Sequence, residues 1–257
     1  MTEALAETTT DAFLGGNLVL RQPKRGHRAG HDAILLAAAT AAKPGDRVIE
    51  FGAGVGAAGL ALARRIGGLD LTLVEINAPL AALAHENAMA NAIAANVLTL
   101  DVAASAAAFE EAGLHADSAD AVLMNPPFND AGRHRASSDQ DKRLAHVATA
   151  TTLEEWVHAA RRVLKSGGAL TLIWRADGLT DVLAALGRGF GSLAILPVHP
   201  DLESPAIRVL VRAIKGGRAP MEILPALVLN DAAGLPTAEA RDVLAGRAAL
   251  SLGGHRP

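Results

Sequence analysis

The sequence predicts an α/β fold with a mostly parallel, seven-stranded sheet and helices on both faces. One observation is that a strand, a glycine-rich turn, a helix, a second strand and an acid follow one another between residues 47 and 75, which is the order of a nucleotide-binding βαβ unit. Another is that short apolar runs recur along the rest of the chain, separated by helical or turn segments. These runs are residues 47–51, 69–74, 96–100, 120–124, 169–174, 190–196 and 206–214.

The glycine-rich turn connects the first strand, Arg47–Phe51, to a helix expected over Ala57–Ile66. Its glycines are Gly52, Gly54 and Gly56. Glycine adopts the conformations that a tight turn needs and lets a ligand approach the backbone closely. The turn is therefore a candidate cofactor site.

Two acids next to this turn bear on the identity of the cofactor. Glu75 closes the second strand, where its carboxylate can accept both hydrogen bonds of a ribose diol. This spacing also fits a dinucleotide site, since Gly52, Gly54 and Ala57 satisfy the GxGxxG/A pattern with an acid about 20 residues later. Glu50 favours a different cofactor, because a carboxylate before the turn repels a diphosphate but attracts an ammonium or sulfonium group. S-Adenosylmethionine carries both cations and no phosphate.

Asp101 follows the third strand, residues 96–100. Its carboxylate can accept a hydrogen bond from the amino group of adenine. It can equally cap the helix expected in the alanine-rich stretch that follows. Its place at the carboxyl end of a parallel strand, where open α/β sheets bind ligands, is consistent with a cofactor site.

The tetrapeptide Asn125-Pro-Pro-Phe128 follows the fourth strand directly. The Asn125 side-chain oxygen and the Pro126 carbonyl can each accept one N–H of a planar NH2 group, which directs the nitrogen lone pair at an electrophile. Pro126 and Pro127 fix φ and lack donors, so the carbonyls keep one orientation. Phe128 offers a face on which a flat heterocycle can stack. The alternative is a proline-stiffened turn with Phe128 in the core.

Together these segments resemble the amino-methylating class of S-adenosylmethionine-dependent methyltransferases. The resemblance rests on EFGAGVG at residues 50–56, LTLVE at 71–75, the strand-end Asp101 and NPPF at 125–128. Residues 27–36, 208–217 and 223–229 further resemble the first helix, last strands and C-terminal segment of the bacterial valine-tRNA adenine-N6 methyltransferases. His31 departs from that group, many members of which carry Thr there.

The resemblance implies a Rossmann-like class I methyltransferase fold and transfer of a methyl group to the N6 amine of an adenine in RNA, with tRNA as the expected partner. S-Adenosylmethionine is the implied cofactor, without a metal. The implied catalytic residues are Asn125, Pro126, Pro127 and Phe128. The implied cofactor-binding residues are Glu50, Gly52, Gly54, Gly56, Glu75, Asp101 and Asn125.

Other functions fit part of the pattern. A glutamine-amide methyltransferase acting on a protein such as a release factor would use the same geometry, although those enzymes usually carry Tyr in the fourth place and a larger helical domain ahead. A ribosomal-RNA guanine-N2 methyltransferase also fits the tetrapeptide. A dinucleotide oxidoreductase is disfavoured by Glu50 and the two prolines, and a noncatalytic RNA-binding relative by the intact motifs.

Composition places further bounds. The 257 residues are half apolar and contain no cysteine, which excludes disulfides and thiolate metal sites. No apolar run approaches the roughly 20 residues of a membrane helix. The start of the chain lacks the features of a signal peptide, so a cytoplasmic location is expected. We expect a flexible start over residues 1–14 and one domain over residues 15–257, with an N-terminal hairpin and helix and a C-terminal helix.

The net charge of the chain is only −3, but three segments are rich in basic residues. If they lie around the active-site rim they would form an RNA-binding collar for phosphates, and otherwise they are solvated faces. The first cluster has Arg21, Lys24, Arg25 and Arg28; the second has Arg208, Arg212, Lys215 and Arg218; the third, after the tetrapeptide, has Arg133, His134, Arg135, Lys142 and Arg143.

Capping and turn residues predict the remaining elements. They are a hairpin of residues 18–20 and 26–28 bridged by residues 22–25, a helix capped by Asp32 that ends before Pro44, a helix from Asn77 to about Asn91, a helix over 156–164 with a capping box at Thr152 and Glu155, and a last helix from Thr237 to about Leu250.

Overall fold

Strands and helices alternate through the middle of the chain, as the sequence predicts. The computed structural model describes residues 7–25, 28–127, 139–187 and 189–252, without the side chains of residues 139–150. The elements in chain order are β1 (Thr8–Phe13), β2 (Leu18–Pro23), α1 (His31–Ala39), β3 (Arg47–Phe51), α2 (Ala57–Ile66), β4 (Asp70–Glu75), α3 (Ala78–Ala90), β5 (Asn96–Thr99), α4 (Ala106–Glu111), β6 (Ala119–Met124), α5 (Asp139–Val163), β7 (Leu164–Arg175), α6 (Leu179–Leu186), β8 (Phe190–His199), β9 (Arg208–Lys215), β10 (Glu222–Ile223), β11 (Leu227–Val228) and α7 (Ala238–Leu244).

The seven expected strands are neighbours in one sheet, which confirms the predicted fold class. Its order is β10-β8-β9-β7-β6-β3-β4-β5, and the two-residue β11 also pairs with β8. Strand β9 runs antiparallel to both β7 and β8, whereas the pairs from β7 to β5 are parallel. The strand order reverses at β3, since β4 lies on one side and β6 on the other. Ligands bind at such a reversal, outside the carboxyl ends of the strands.

Both faces of this sheet are covered by helices. One apolar core contains Val48 of β3 and packs α1, α2 and α3 on its face. The other contains the next residue, Ile49, and packs α4, α5 and α6 on the opposite face. Successive strand residues point to opposite faces, so a strand covered on both sides must be apolar throughout. This explains why the central strands are continuous apolar runs in the sequence.

The N-terminal hairpin differs from the one that we expected. Strand β2 pairs with the preceding β1, and Phe13 lies opposite Leu18. Residues 8–13 therefore form a strand inside the segment expected to be flexible, and residues 22–23 belong to β2 rather than to a turn. Gly15 and Gly16 have φ values of 65° and 95°, which glycine accepts easily, and they allow a short connection. Gly26 and His27 lie outside the described residues.

Several helix caps differ from the predictions. The N-cap of α1 is Gly30, and Asp32 lies in the first turn of the helix. Ser105 rather than Asp101 caps α4. Thr152 lies in the middle of the 25-residue α5, so the expected capping box does not begin a helix there. The N-cap at Asn77 is confirmed, because its side chain accepts a hydrogen bond from the Leu80 amide.

The last predicted helix is shorter than expected, because α7 ends at Leu244. Its cap is Thr237, as predicted, and the Thr237 side chain accepts a hydrogen bond from the Ala240 amide. Among the described residues, no helix is both long and apolar enough to cross a membrane.

Two asparagines, Asn87 in α3 and Asn91 at its C-cap, attach the hairpin to the rest of the fold. Asn87 Oδ1 accepts from the Arg21 amide at 2.8 Å, and its Nδ2 donates to the carbonyls of Arg21 and Val55. One turn later, Asn91 forms the same pair of bonds with the backbone of Val19. The side chains replace a neighbouring strand for β2, whose backbone groups would otherwise lack partners.

We expect Asn87→Ala to lower the free energy of unfolding by about 2 kcal/mol, because three backbone groups lose a partner in a buried setting. Urea unfolding followed by circular dichroism measures it. Met89→Ala is the matched control on the same helix, since Met89 is 69% exposed. Equal unfolding midpoints for the two variants would show that the asparagine bonds contribute nothing.

Candidate active site

A cleft opens at the carboxyl ends of β3 and β6, where the strand order reverses. Its volume is about 330 Å³. The walls come from residues 28–33 at the start of α1, residues 50–58 with the glycine turn, Leu80 of α3, and Asn125 after β6. The cleft therefore brings together Glu50, the first two turn glycines and Asn125, as the sequence analysis expects.

The glycine turn adopts a backbone that other residues rarely accept. Gly52, Gly54 and Gly56 have φ values of 66°, 56° and 85°. Gly59, which we did not single out, has a different constraint. A β-carbon there would lie 2.6 Å from Glu50 Oε2 and 2.6 Å from Leu73 Cδ2, so α2 can approach β3 and β4 only with glycine at this position. The signal available in the sequence was a fourth glycine, three residues beyond Gly56.

Glu50 is a buried carboxyl group in the wall of the cleft, only 5% exposed. Its Oε2 accepts a hydrogen bond from the Gly59 amide at 2.7 Å, near the N-terminus of α2. Burial raises the pKa of Glu50 to about 8, with a further rise from the charge of Glu75, while the Gly59 bond acts in the opposite direction. Among the described residues, no cation forms a salt bridge with it. A cation in the cleft would supply the missing countercharge.

Glu75 has a structural role that the sequence did not reveal. Its Oε2 accepts from the Gly54 amide at 2.7 Å, and its Oε1 accepts from the Asn77 amide at 2.8 Å. The carboxylate thus holds the glycine turn to the end of β4. Each oxygen keeps a further lone pair that can accept from a ribose hydroxyl. The ribose contact is therefore still possible, and it stays a prediction.

Asp101 lies just beyond β5, two strands from β3, and is exposed. Its Oδ1 accepts from the Ala103 amide at 2.8 Å and fixes the local turn. Glu75 and Asp101 do not line the cleft described above. The adenine contact of Asp101 remains a prediction.

Asn125 carries the most informative group of the cleft. Its Oδ1 is buried and has no hydrogen-bond partner among the described residues. An unpaired buried acceptor costs about 1–3 kcal/mol, and such atoms call for an explanation such as a functional role. Pro126 is buried and Pro127 is exposed, while Phe128 lies outside the described residues.

Two of the expected RNA-binding arginines lie near the cleft but already have acidic partners. Arg28 pairs with Asp11 at 2.6 Å and donates to the Pro23 carbonyl, which ties the hairpin to the cleft wall. Arg208 at the start of β9 pairs with Asp32 at 2.9 Å, which ties β9 to the start of α1. The ion pairs were not foreseen, and RNA binding by both residues remains a prediction.

The other basic residues are spread more widely than a single collar would be. Arg21 pairs with Glu86 and Lys24 with Glu7, whereas Arg25 is exposed. Arg212 lies in the middle of β9, and burial lowers its pKa.

Lys215 lies at the end of β9 that is farther from the cleft, where it pairs with Asp117. It is about 23 Å from Arg208 at the usual rise of a strand. Arg133 and Arg135 lie outside the described residues, and RNA binding by these residues remains a prediction. Among the described residues, no group of three acidic, histidine or cysteine side chains could hold a metal ion.

We expect Glu50→Gln to change how stability depends on pH. The pKa of Glu50 in the folded protein, about 8, lies above the ordinary value of 4.5. The folded state therefore retains a proton that the unfolded chain releases, and this carboxyl lowers stability as pH rises from about 4.5 to 8. The variant lacks that loss, so its stability relative to the native chain should rise over this window and level off above pH 8.

Urea unfolding at pH 5, 7 and 9 measures this effect. Asp101→Asn is the control, because Asp101 is an exposed acid at the same edge of the sheet. Parallel profiles for the native chain and Glu50→Gln would contradict the raised pKa.

Comparison with known proteins agrees with the fold. The family model "Methyltransferase small domain" matches residues 30–198. A predicted O-methyltransferase from Agrobacterium tumefaciens, protein Atu636, is 33% identical, with a TM-score of 0.72 over 86% of this chain and 98% of that one. The Thermus thermophilus 16S rRNA N2 G1207 methyltransferase, solved with AdoMet and guanosine, shares the fold at 20% identity, with a TM-score of 0.56 over 84% of this chain and 52% of that one.

Curated relatives act on different substrates. The tRNA1(Val) (adenine(37)-N6)-methyltransferase of Dickeya chrysanthemi is 27% identical over 75% of this chain and 74% of its own length. The release factor glutamine methyltransferase of Chlorobaculum tepidum is 26% identical over 61% of this chain, which spans about half of that enzyme (54%). The ribosomal RNA small subunit methyltransferase C of Hahella chejuensis is 30% identical over 50% of this chain and 31% of its own length.

The matched segment contains the glycine turn, Glu50, Glu75 and Asn125, and it makes up more than half of the chain. The chain therefore belongs to the methyltransferase small domain family and is an S-adenosylmethionine-dependent methyltransferase with the class I fold.

Proposed function

We propose that this enzyme methylates the exocyclic N6 amine of an adenine in RNA, with tRNA as the substrate. The observation that carries the proposal is the buried Asn125 Oδ1, which has no donor among the described residues and belongs to a side chain in the wall of the cleft. The N–H of a planar amine supplies the donor that this oxygen lacks. The same cleft contains Glu50, a carboxyl without a cationic partner among the described residues.

The residues of the cleft fit the methyl donor. S-Adenosylmethionine supplies an electrophilic methyl group on a sulfonium when it is bound. Glu50 balances the positive charge of the amino-acid end, and the left-handed glycines let the donor approach the backbone. Glu75, which holds the Gly54 amide, would accept from the ribose hydroxyls, and Asp101 would accept from the adenine amino group.

The residues after β6 hold the acceptor. Asn125 Oδ1 and the Pro126 carbonyl each accept one N–H, so the nitrogen lone pair points out of the base plane toward the methyl group. The methyl–nitrogen bond forms as the methyl–sulfur bond breaks, and the sulfur keeps the bonding electrons. The methylated amine then releases a proton to water. In this scheme Phe128 stacks on the flipped adenine, which offsets part of the few kcal/mol that unstacking costs.

Adenine in tRNA is the preferred acceptor for two reasons. The tRNA1(Val) enzyme is matched over 74% of its length, compared with 54% for the release-factor enzyme and 31% for the ribosomal-RNA enzyme. The fourth motif residue is Phe128 rather than the Tyr usual in the glutamine enzymes. A carboxamide and the guanine amine are planar NH2 groups too, so the product must be identified chemically.

Product analysis decides the acceptor. Purified enzyme and methyl-labelled S-adenosylmethionine are incubated with total RNA or protein from a deletion strain, and the products are digested to nucleosides or amino acids. We expect label in N6-methyladenosine from the tRNA fraction. Label in N2-methylguanosine or in N5-methylglutamine would instead assign the ribosomal-RNA or the protein substrate.

We expect Asn125→Ala to lower kcat about 100-fold, because misplacing a reacting group by about an ångström costs this much. The affinity for S-adenosylhomocysteine, measured by calorimetry, should change less than threefold. Met89→Ala is the control, since Met89 is 69% exposed and does not line the cleft. Unchanged turnover in Asn125→Ala would show that the Asn125 side chain does not position the amine.

Arg25 tests the RNA-binding surface better than Arg28 or Arg212, because it is exposed and lies in the basic segment next to the cleft. We expect Arg25→Glu to weaken tRNA binding. The slope of log affinity against log salt concentration should become shallower by about the amount that one phosphate contact contributes. Lys43→Glu is the control, because Lys43 is exposed before β3, at the sheet edge opposite the cleft. Identical salt slopes for Arg25→Glu and Lys43→Glu would indicate that the basic segment is an ordinary solvent-exposed surface.

A further inference from the structure

An aromatic side chain that the sequence analysis did not single out covers the glycine turn. Trp156 of α5 lies directly against Gly52, and a β-carbon added to Gly52 would overlap the indole ring. Gly52 itself lines the cleft and has a φ of 66°. Gly52 is therefore needed for its backbone angle and also for the space that the indole occupies.

The same turn of α5 borders the loop that follows Asp101. Glu155 and Ala159, one residue before Trp156 and three after it, line a second cavity of about 350 Å³. The opposite wall of this cavity is formed by Val102, Ala103 and Ala104. Trp156 thus belongs to a helix segment that contacts the glycine turn and also borders the Asp101 loop. Those two regions are expected to hold the opposite ends of the methyl donor.

The burial of Trp156 is also unusual for this chain. Its only other tryptophan, Trp174, is 1% exposed and lies inside the core. Trp156 is partly exposed and packs only at the margin of the core on the α4–α6 face. Trp156 does not itself line the cleft, but it lies against Gly52, which does. A large, partly exposed ring in this place can contribute contact area to a ligand at a small entropic cost.

We propose that Trp156 is a residue of the methyl-donor site, whose indole packs against bound S-adenosylmethionine beside Gly52. The donor offers two groups that suit an aromatic surface, the flat adenine and the sulfonium cation. The inference rests on the methyl donor and not on the identity of the acceptor, so it stands even if the methylated product is not N6-methyladenosine.

Intrinsic fluorescence tests the contact with a matched pair of proteins. Trp156→Phe keeps an aromatic ring and leaves Trp174 as the only fluorophore. We expect S-adenosylhomocysteine to change the emission of the native chain and to leave that of Trp156→Phe nearly constant, although calorimetry still detects binding to it. An equal emission change in both proteins would overturn the proposal, because Trp174 would then be the reporter.

Affinity provides a second measurement. We expect Trp156→Leu to weaken binding of S-adenosylhomocysteine about tenfold, while Trp156→Phe loses less than threefold. Thermal unfolding establishes that the variants are folded, and if the leucine variant is not, the fluorescence pair alone decides. A folded Trp156→Leu with native affinity would show that the ring only packs against Gly52. The native chain's own binding of S-adenosylhomocysteine is the reference, and it is independent of any acceptor assay.

Discussion

Two acidic side chains hold the glycine turn after β3 and the helix α2 that follows it, and the site depends on them. Glu75 accepts from the Gly54 amide and Glu50 from the Gly59 amide, both at 2.7 Å. A turn with three left-handed glycines has few conformational restraints of its own, because glycine loses more freedom on folding than other residues. The acids at the ends of β3 and β4 supply the missing restraint. The groups proposed to bind the donor therefore also build the surface on which it rests.

Two groups in the cleft lower the stability of the folded protein. In the part of the chain that the structure describes, Glu50 is buried without a cationic partner, and Asn125 Oδ1 is buried without a donor. Either group could be replaced by an apolar residue if only stability mattered. Departures of this kind from good packing are expected at functional sites. The two groups call for opposite chemistry, one for a positive charge and the other for an N–H. A methyltransfer site needs both, for the donor and for the acceptor.

Local patterns allowed the sheet and the cleft to be predicted from the sequence. Strand β3 and helix α2 have the expected bounds, since apolar runs and glycines mark them within a few residues. The reversal of strand order at β3 follows from chain order in such folds. The hairpin was predicted wrongly because pairing is not a local property: the Thr-rich segment before β2 competes with the segment after it. The ion pairs Arg208–Asp32 and Arg28–Asp11 join residues far apart in the chain. No spacing rule could anticipate them.

The side-chain ladder from Asn87 and Asn91 to β2 determines how the start of the chain should be handled. The hairpin is attached to α3 through these amides, and Arg28 links it to the cleft wall. Residues 8–13 thus help to hold a wall of the active site in place, although they lie within the first fourteen residues of the sequence. Trimming this segment would remove Asp11, the acidic partner of Arg28, and so loosen a wall of the cleft.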